Sequence, residues 1–355
     1  MPKPFISVLI DTYNHERFIE QALHSVFAQD YPADLREIIV VDDGSTDRTP
    51  EILAKFSSQI QILRKPNGGQ ASAFNHAIPH CKGDVVAFLD ADDWWKPQKL
   101  SRVAEAITED PSTGIVGHGI INVQMDGTDI AESPRDGFRF QANTVPGALL
   151  FRRRGSFLGT SRMTIHTDLL RRIGPIPTEI VIQADEYLFT LATVMAGARI
   201  LPDTLTYYRL HEGNSFQMTA FDTQKLRRKQ TSLAALATTL SRRMTDLEIE
   251  LSVRHTVIDY TQASADRLRL TLDGGRPWQT VRTERTLYRI LHPEANLSHR
   301  MFKHIILFGA LITPPKVFYR VQAKLAQSSL YNSLRQRFFQ APKMPHIEQK
   351  RTIRP

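Results

Sequence analysis

Residues 84–93, Asp84-Val85-Val86-Ala87-Phe88-Leu89-Asp90-Ala91-Asp92-Asp93, decide how the chain is read. The apolar run 85–89 is too short for a buried helix and suits a strand covered on both faces. It then breaks abruptly into Asp90, Asp92 and Asp93. Upstream, residues 5–10, 38–41 and 59–63 read as further strands. Between them, residues 16–29 place Phe18, Ile19, Ala22, Leu23, Val26 and Phe27 on one helical face. Thr49 reads as an N-cap with Pro50 at the first helical position and Ile52, Leu53 and Phe56 turned inward. A third helical stretch follows Gly68-Gly69 and runs through Ile78. This alternation predicts an α/β domain with a mostly parallel, doubly wound sheet and right-handed crossovers.

In such sheets ligands bind beyond the carboxyl ends of the strands. Those ends are strongly polar here. The first strand leads into Asp11-Thr12-Tyr13-Asn14, the second into Asp42-Asp43-Gly44-Ser45, and the run 85–89 into Asp90-Ala91-Asp92-Asp93. Six carboxylates therefore share one rim, and their repulsion predicts a cation or hydrogen-bond donors among them. Hard divalent cations take oxygen ligands and bridge carboxylates to a diphosphate, so Asp90, Asp92 and Asp93 predict binding of Mg²⁺ or Mn²⁺. An acidic helix start accounts for one or two of them, but not for a third, nor for the Asp42-Asp43 pair.

The chain has 355 residues, 41% hydrophobic and 23% charged, which excludes disordered and collagenous classes. One cysteine, Cys81, excludes an internal disulfide framework and cysteine-based metal sites and fits a reducing compartment. The first residues lack the apolar stretch of a signal peptide. The longest apolar run, residues 305–312, is far short of the ~20 residues that a spanning helix needs. A cytoplasmic location is expected.

Charge divides the chain. Residues 1–220 carry 21 basic and 27 acidic side chains, whereas residues 221–355 carry 24 basic and 10 acidic. The expected domains are therefore 1–222 and a basic helical region 223–355, with helices at 224–251, 255–272, 278–291 and 301–312. Such a region suits a polyanion or an anionic bilayer. No zinc knuckle, helix-turn-helix spacing or aromatic-basic strand motif is present, so no nucleic-acid partner is expected. Met301, Phe302, Ile305, Ile306, Phe308 and Leu311, near Arg300, Lys303, Lys316, Arg320 and Lys324, suit a segment docked peripherally at the inner face of the cell membrane. A core helix of a small bundle fits the same pattern equally well.

A resemblance now becomes specific. Ser7-Val8-Leu9-Ile10 with Thr12-Tyr13-Asn14, Val40-Val41-Asp42-Asp43-Gly44-Ser45-Thr46-Asp47, Asn67-Gly68-Gly69, Lys82-Gly83-Asp84 and Phe88-Leu89-Asp90-Ala91-Asp92-Asp93 resemble, in order and spacing, the family-two inverting glycosyltransferases of the GT-A fold. The likeness spans roughly residues 5–215. It implies transfer of a sugar from a nucleotide-diphosphate sugar, UDP favoured, to a hydroxyl of a glycan or lipid-linked acceptor, with Mg²⁺ or Mn²⁺, in cell-surface polysaccharide or glycolipid synthesis. It also implies roles: Tyr13 against the nucleobase, Asp43 accepting the base's imide N–H, Asp92 facing the ribose or diphosphate, and Asp93 on the metal with Asp90 as first carboxylate of the same motif.

Family members place the catalytic base in an acidic pair at a helix start. Gln183-Ala184-Asp185-Glu186 puts Asp185 there, with Ala184 in place of the usual glutamate and Glu186 as the second candidate. A plain helix N-cap is the other reading of Asp185. Residues 208–215 match a segment that returns to the active site, where His211 would ligate the metal and Arg209 would clamp the diphosphate. Phe74 stands where many relatives carry an arginine. Two alternatives stay open: a haloacid-dehalogenase-type phosphatase, because residues 90–92 form Asp-x-Asp after a strand, and a catalytically silent nucleotide-sugar-binding module.

Overall fold

The computed structural model describes residues 2–124, 128–211, 222–292, 297–326 and 347–353. The chain divides into two compact units, Met1–Gln217 with Ile347–Pro355, and Met218–His346.

In the first unit, β1 (Ile6–Thr12), α1 (Ile19–Phe27), β2 (Arg36–Asp42), α2 (Thr49–Ala54), β3 (Gln61–Arg64), α3 (Gln70–Ala77) and β4 (Val85–Asp90) alternate as predicted. β1 lies between β2 and β4, parallel to both, and β3 extends the sheet from β2. Val8, Leu9 and Ile10 are fully buried because helices cover both faces of this central strand. Ile19, Ala22, Leu23 and Val26 of α1 join Val8, Ile10, Val40, Ala87 and Leu89 in one core cluster. On the opposite face Phe74 packs 5.1 Å from Phe88, ring to ring.

Next come β5 (Trp94–Trp95), α4 (Lys99–Glu109), β6 (Ile115–Val123), β7 (Thr128–Pro134), β8 (Phe138–Phe140), α5 (Val145–Arg154), β9 (Thr164–His166), α6 (Thr167–Ile173), α7 (Ala184–Met195) and β10 (Ala198–Arg209). Here the sheet departs from the expected parallel order. β6 does not pair with β4; the three residues of β9 lie between them, antiparallel to both. The sheet is therefore mixed, with order β7-β6-β9-β4-β1-β2-β3. β10 runs parallel to β6, with register shifts between Leu201 and Thr206. Beyond the shift, Thr206 and Tyr207 pair antiparallel with Trp95 and Trp94. Such bulges bend a strand and re-aim its later residues, and here Arg209 and His211 are delivered to the rim.

Local readings shift at three points. Thr49 is the first residue of α2, with Arg48 as N-cap, and its Oγ1 accepts the His15 N–H at 3.0 Å. Residues 152–154, three arginines that read in sequence as a basic loop, form the last turn of α5. Beyond residue 222 the chain is not wholly helical: β11 (Ile347–Ile353) pairs antiparallel with β7 of the first unit.

The second unit consists of α8 (Thr223–Asp246), α9 (Leu251–Asp273), α10 (Pro277–Leu291), α11 (Leu297–Ile312) and α12 (Pro315–Ala326). The Asp222 carboxylate caps α8 by accepting the Gln224 and Lys225 N–H groups. Leu236, Leu240 and Met244 of α8 and Val253, Val257 and Leu270 of α9 are buried. Glu284 on α10 is buried between Arg267 Nε at 3.1 Å and Lys303 Nζ at 2.9 Å, so an ion triad pins α9, α10 and α11 together. α11 otherwise buries only Ala310, which fits a bundle-core helix poorly.

Candidate active site

Register places the rim. Asp11 on β1 lies opposite Asp90 on β4, and Thr12 opposite Asp42 on β2. The loops beyond these strand ends are tied together: Asn14 Oδ1 accepts the Thr46 N–H at 2.8 Å, and Ser45 Oγ accepts the Asn14 N–H at 2.9 Å. Gly44 is required at its turn, since φ is +82° and a Cβ there would lie 2.7 Å from Asn67 N.

Asp90, Asp92 and Asp93 can each bring one oxygen within 4.8 Å of the others. Burial, then the charges of Asp11, Asp92, Asp93 and Asp185, push the Asp90 carboxyl well above the ordinary range. Burial and Asp92 do the same to Asp93, against hydrogen bonds from Ser161 Oγ at 2.6 Å and Arg209 N at 3.0 Å. Asp11 is pushed up to about 7 by burial and by Asp92, and its buried Oδ1 has no hydrogen-bond partner. Asp92 goes the other way. Burial raises it, but the hydrogen bond with His211 and the positive charges of His15 and His211 hold it below its usual value. This all-oxygen donor set, short of positive charge and with an orphaned buried carboxylate oxygen beside it, fits Mg²⁺ or Mn²⁺.

Each predicted residue takes a definite place. Asp92 Oδ2 lies 2.9 Å from His211 Nε2, so His211 does reach the cluster. Arg209 Nε donates to the Asp92 carbonyl at 3.0 Å and its Nη2 to Gln21 Oε1 at 2.5 Å, while its guanidinium lies over the rings of Trp94 and Phe18. That guanidinium braces the rim. Tyr13 is 43% exposed at the end of β1, as a stacking surface must be. Asp43 is only 4% exposed and accepts the N–H groups of Gly68 and Gly69 at 3.1 and 2.7 Å and the Lys65 ammonium at 2.5 Å. Three donors of the loop 65–69 thus occupy most of its lone pairs.

Asp185 is no N-cap. α7 starts at Ala184 after Gln183 in the left-handed region, and Asp185 sits inside the first turn. Its oxygens accept the Glu186 N–H at 2.8 Å and the Thr160 N–H at 3.3 Å. Burial, then Glu186, raises its carboxyl above the usual range. Glu186 faces elsewhere, with Arg152 Nη1 at 3.7 Å and Gln183 Nε2 at 3.0 Å.

The sequence reading missed Arg162. Its partly buried guanidinium supplies positive charge that acts on both the Asp93 and the Asp185 carboxyl, which Phe74 cannot do. No local signal marks it, because its position depends on the turn before β9 and on β9 entering the sheet. Gln70 Nε2 donates to Asp90 Oδ1 at 3.2 Å, whereas Asn75 is spent on both backbone groups of Ile176.

The class of the protein emerges from this geometry and from its likeness to known chains. Residues 7–166 match the family described as Glycosyl transferase family 2. An uncharacterized glycosyltransferase of Nostoc sp. is 34% identical over 227 residues, 62% of this chain and 69% of that one. The chain belongs to glycosyl transferase family 2, and the phosphatase alternative is set aside.

The poly(ribitol-phosphate) beta-N-acetylglucosaminyltransferase TarS of Staphylococcus aureus is 29% identical over 208 residues, 57% of this chain but 35% of TarS. The crystal structure of TarS 1–349 in complex with UDP-GlcNAc shares the fold, with a TM-score of 0.54 and 20% identity over 93% of this chain and 91% of that one. A mannosyltransferase from Pyrobaculum calidifontis, in complex with GDP-Man and Mn²⁺, does so with a TM-score of 0.53 and 20% identity over 95% and 85%.

The clasp on Asp43 is directly testable. In Asp43→Asn one acceptor oxygen becomes an amine facing N–H and ammonium groups, so amide exchange at Gly68 and Gly69 should speed up by roughly 10-fold or more. Unchanged protection at both amides would show that the loop is held by something else.

Proposed function

We propose that the chain is an inverting, metal-dependent glycosyltransferase that moves a sugar from a nucleotide-diphosphate sugar, UDP favoured, to a hydroxyl of a cell-surface polysaccharide or lipid-linked saccharide. The observation that carries this reading is Asp185, a half-buried carboxylate that accepts the Thr160 N–H while Gln70 Nε2 bridges the Thr160 hydroxyl and Asp90 Oδ1, which ties it to the three-aspartate cluster. The names of TarS and its UDP-GlcNAc complex support a nucleotide-sugar donor and a polymer acceptor. The Mn²⁺ complex of the archaeal mannosyltransferase supports Asp90, Asp92, Asp93 and His211 as the residues that would hold a divalent ion.

Inversion needs a single displacement. The acceptor oxygen bonds to the anomeric carbon while the bond from that carbon to the diphosphate oxygen breaks on the opposite face, and Asp185 takes the acceptor's proton. A carboxyl raised by burial is the stronger base, and the charge of Arg162 offsets part of that rise. A divalent ion held by the aspartates would neutralise the diphosphate as its charge develops. Tyr13 offers the nucleobase a face, and the alternating ties between loops 13–16 and 44–49 keep that face in place.

Among the described residues no helix is long and apolar enough to cross a membrane. Two helices of the second unit are nevertheless suited to lie on one. α11 exposes Leu297, Met301, Ile305, Phe308 and Ile312 along one stripe, and α12 exposes Val317, Val321 and Leu325. Lys316, Arg320 and Lys324 form a parallel exposed stripe on α12. Apolar insertion flanked by basic side chains is the pattern of an interfacial helix on anionic lipid, and it supports peripheral docking at the inner face of the membrane.

Binding and chemistry separate by mutation. Asp93→Asn should weaken Mn²⁺-supported nucleotide binding in calorimetry, while Asp185→Asn should leave that affinity near wild type and lower transfer by ~10²-fold or more. Full turnover by Asp185→Asn would move the base to Glu186, and equal affinity of Asp93→Asn with and without Mn²⁺ would remove the metal assignment. For docking, flotation with anionic vesicles should carry the full chain at low salt, and Ile305→Ser/Phe308→Ser should remain in the soluble fraction. Equal recovery of both proteins would reject this face as the membrane contact.

A further inference from the structure

A groove of about 1270 Å³ runs through the second unit between α8, α9 and α10. Arg242, Arg254, Arg269, Arg282, Arg285 and Arg289 line it, against two carboxylates, Asp259 and Asp266. Arg282, Arg285 and Arg289 fall at i, i+3 and i+7 of α10, on one face, and none of the three is buried. Like charges gathered in a concave wall repel one another unless an anion lies among them. Hydroxyls and amides, Thr238, Ser241, Thr286, Gln262 and Gln279 among them, share the wall with apolar side chains such as Leu251 and Ile258. Trp278, 49% exposed, adds an aromatic face.

From this combination we infer that the groove binds an anionic saccharide chain, one whose sugar or polyol units carry spaced phosphate or carboxylate groups. Guanidinium forks pair bidentately with either anion. The hydroxyls and amides match a polyhydroxylated backbone, and an exposed indole gives a ring somewhere to rest while its N–H stays hydrated. Asp259 and Asp266 accept hydroxyl hydrogens, and a lone indole offers no succession of faces for stacked bases, which disfavours nucleic acid. The inference deepens the proposed function by giving its polymer acceptor a charge, and it rests on that reading only for the name acceptor. The membrane stripes on α11 and α12 are built from other residues.

The test uses the full chain and calorimetry with four probes: a phosphodiester-linked polyol oligomer, an oligogalacturonate, a neutral dextran oligomer and a single-stranded oligonucleotide. One or both anionic oligomers should bind, with affinity falling as salt rises, and the dextran should not. Arg282→Gln/Arg285→Gln/Arg289→Gln, solvent-facing positions that the fold tolerates, should weaken that binding by roughly 10-fold or more, while nucleotide binding with Mn²⁺ and vesicle flotation stay at wild type. The phosphate and carboxylate arms identify which anion is preferred. Failure of both anionic oligomers to bind, undiminished binding by the triple variant, or tighter binding of the oligonucleotide would each overturn the inference. Anionic oligomer binding by a chain that hydrolyses and transfers no nucleotide sugar would leave the groove standing and sink the proposed function instead.

Discussion

The first unit is organised around a repulsion. Parallel pairing puts Asp11 beside Asp90 and Thr12 beside Asp42, and the turn after β4 adds Asp92 and Asp93. Carboxylates this close and this buried disfavour being charged together, and several kcal/mol per ion is roughly the usual scale of that penalty. The remedies come from segments far along the chain. Ser161 donates to Asp93, the Arg209 N–H donates to its other oxygen, His211 meets Asp92, and the charge of Arg162 acts on Asp93 and Asp185. Insertion of β9 next to β4 positions the first and last of these donors, and the bulge in β10 positions the other two. The departures from a plain doubly wound sheet are thus what allows the acidic rim to exist.

That division also explains what could be read in advance. β1, β2 and β4 are strands buried on both faces, so their sequences are continuous apolar runs ending in polar residues at the rim, a signal held entirely in local order. The positions of Asp90, Asp92 and Asp93 were legible for the same reason, whereas Asp185 was reached only through the family resemblance. Arg162 was not, because a three-residue strand carries almost no periodicity and its place beside β4 is decided by tertiary pairing. Nor was the clasp on Asp43: the ammonium and two glycine N–H groups that it accepts come from a loop whose sequence shows only that it turns. The cap expected at Thr49 lies one residue earlier, since the Thr49 hydroxyl serves the loop after β1 in preference to its own helix.

The two units also treat anions in opposite ways. A diphosphate brought to an acidic rim is repelled unless a cation is bound with it, so under the proposed function the first unit would recognise its anion indirectly, coupled to metal. The second unit, residues 218–346, carries 21 basic against 9 acidic side chains, and its arginines present fixed positive charge with no intermediary. If both units used arginine clusters, the long anion that suits the groove would compete with the donor for the catalytic rim. An acidic rim that accepts a diphosphate only together with its metal discriminates against that competitor, since a polymer of singly charged groups chelates a divalent ion less well than a diphosphate does. Under the two proposals together, the charge asymmetry along the chain would act as a device for specificity, sorting the same sign of ligand between two sites by whether it arrives with its own cation.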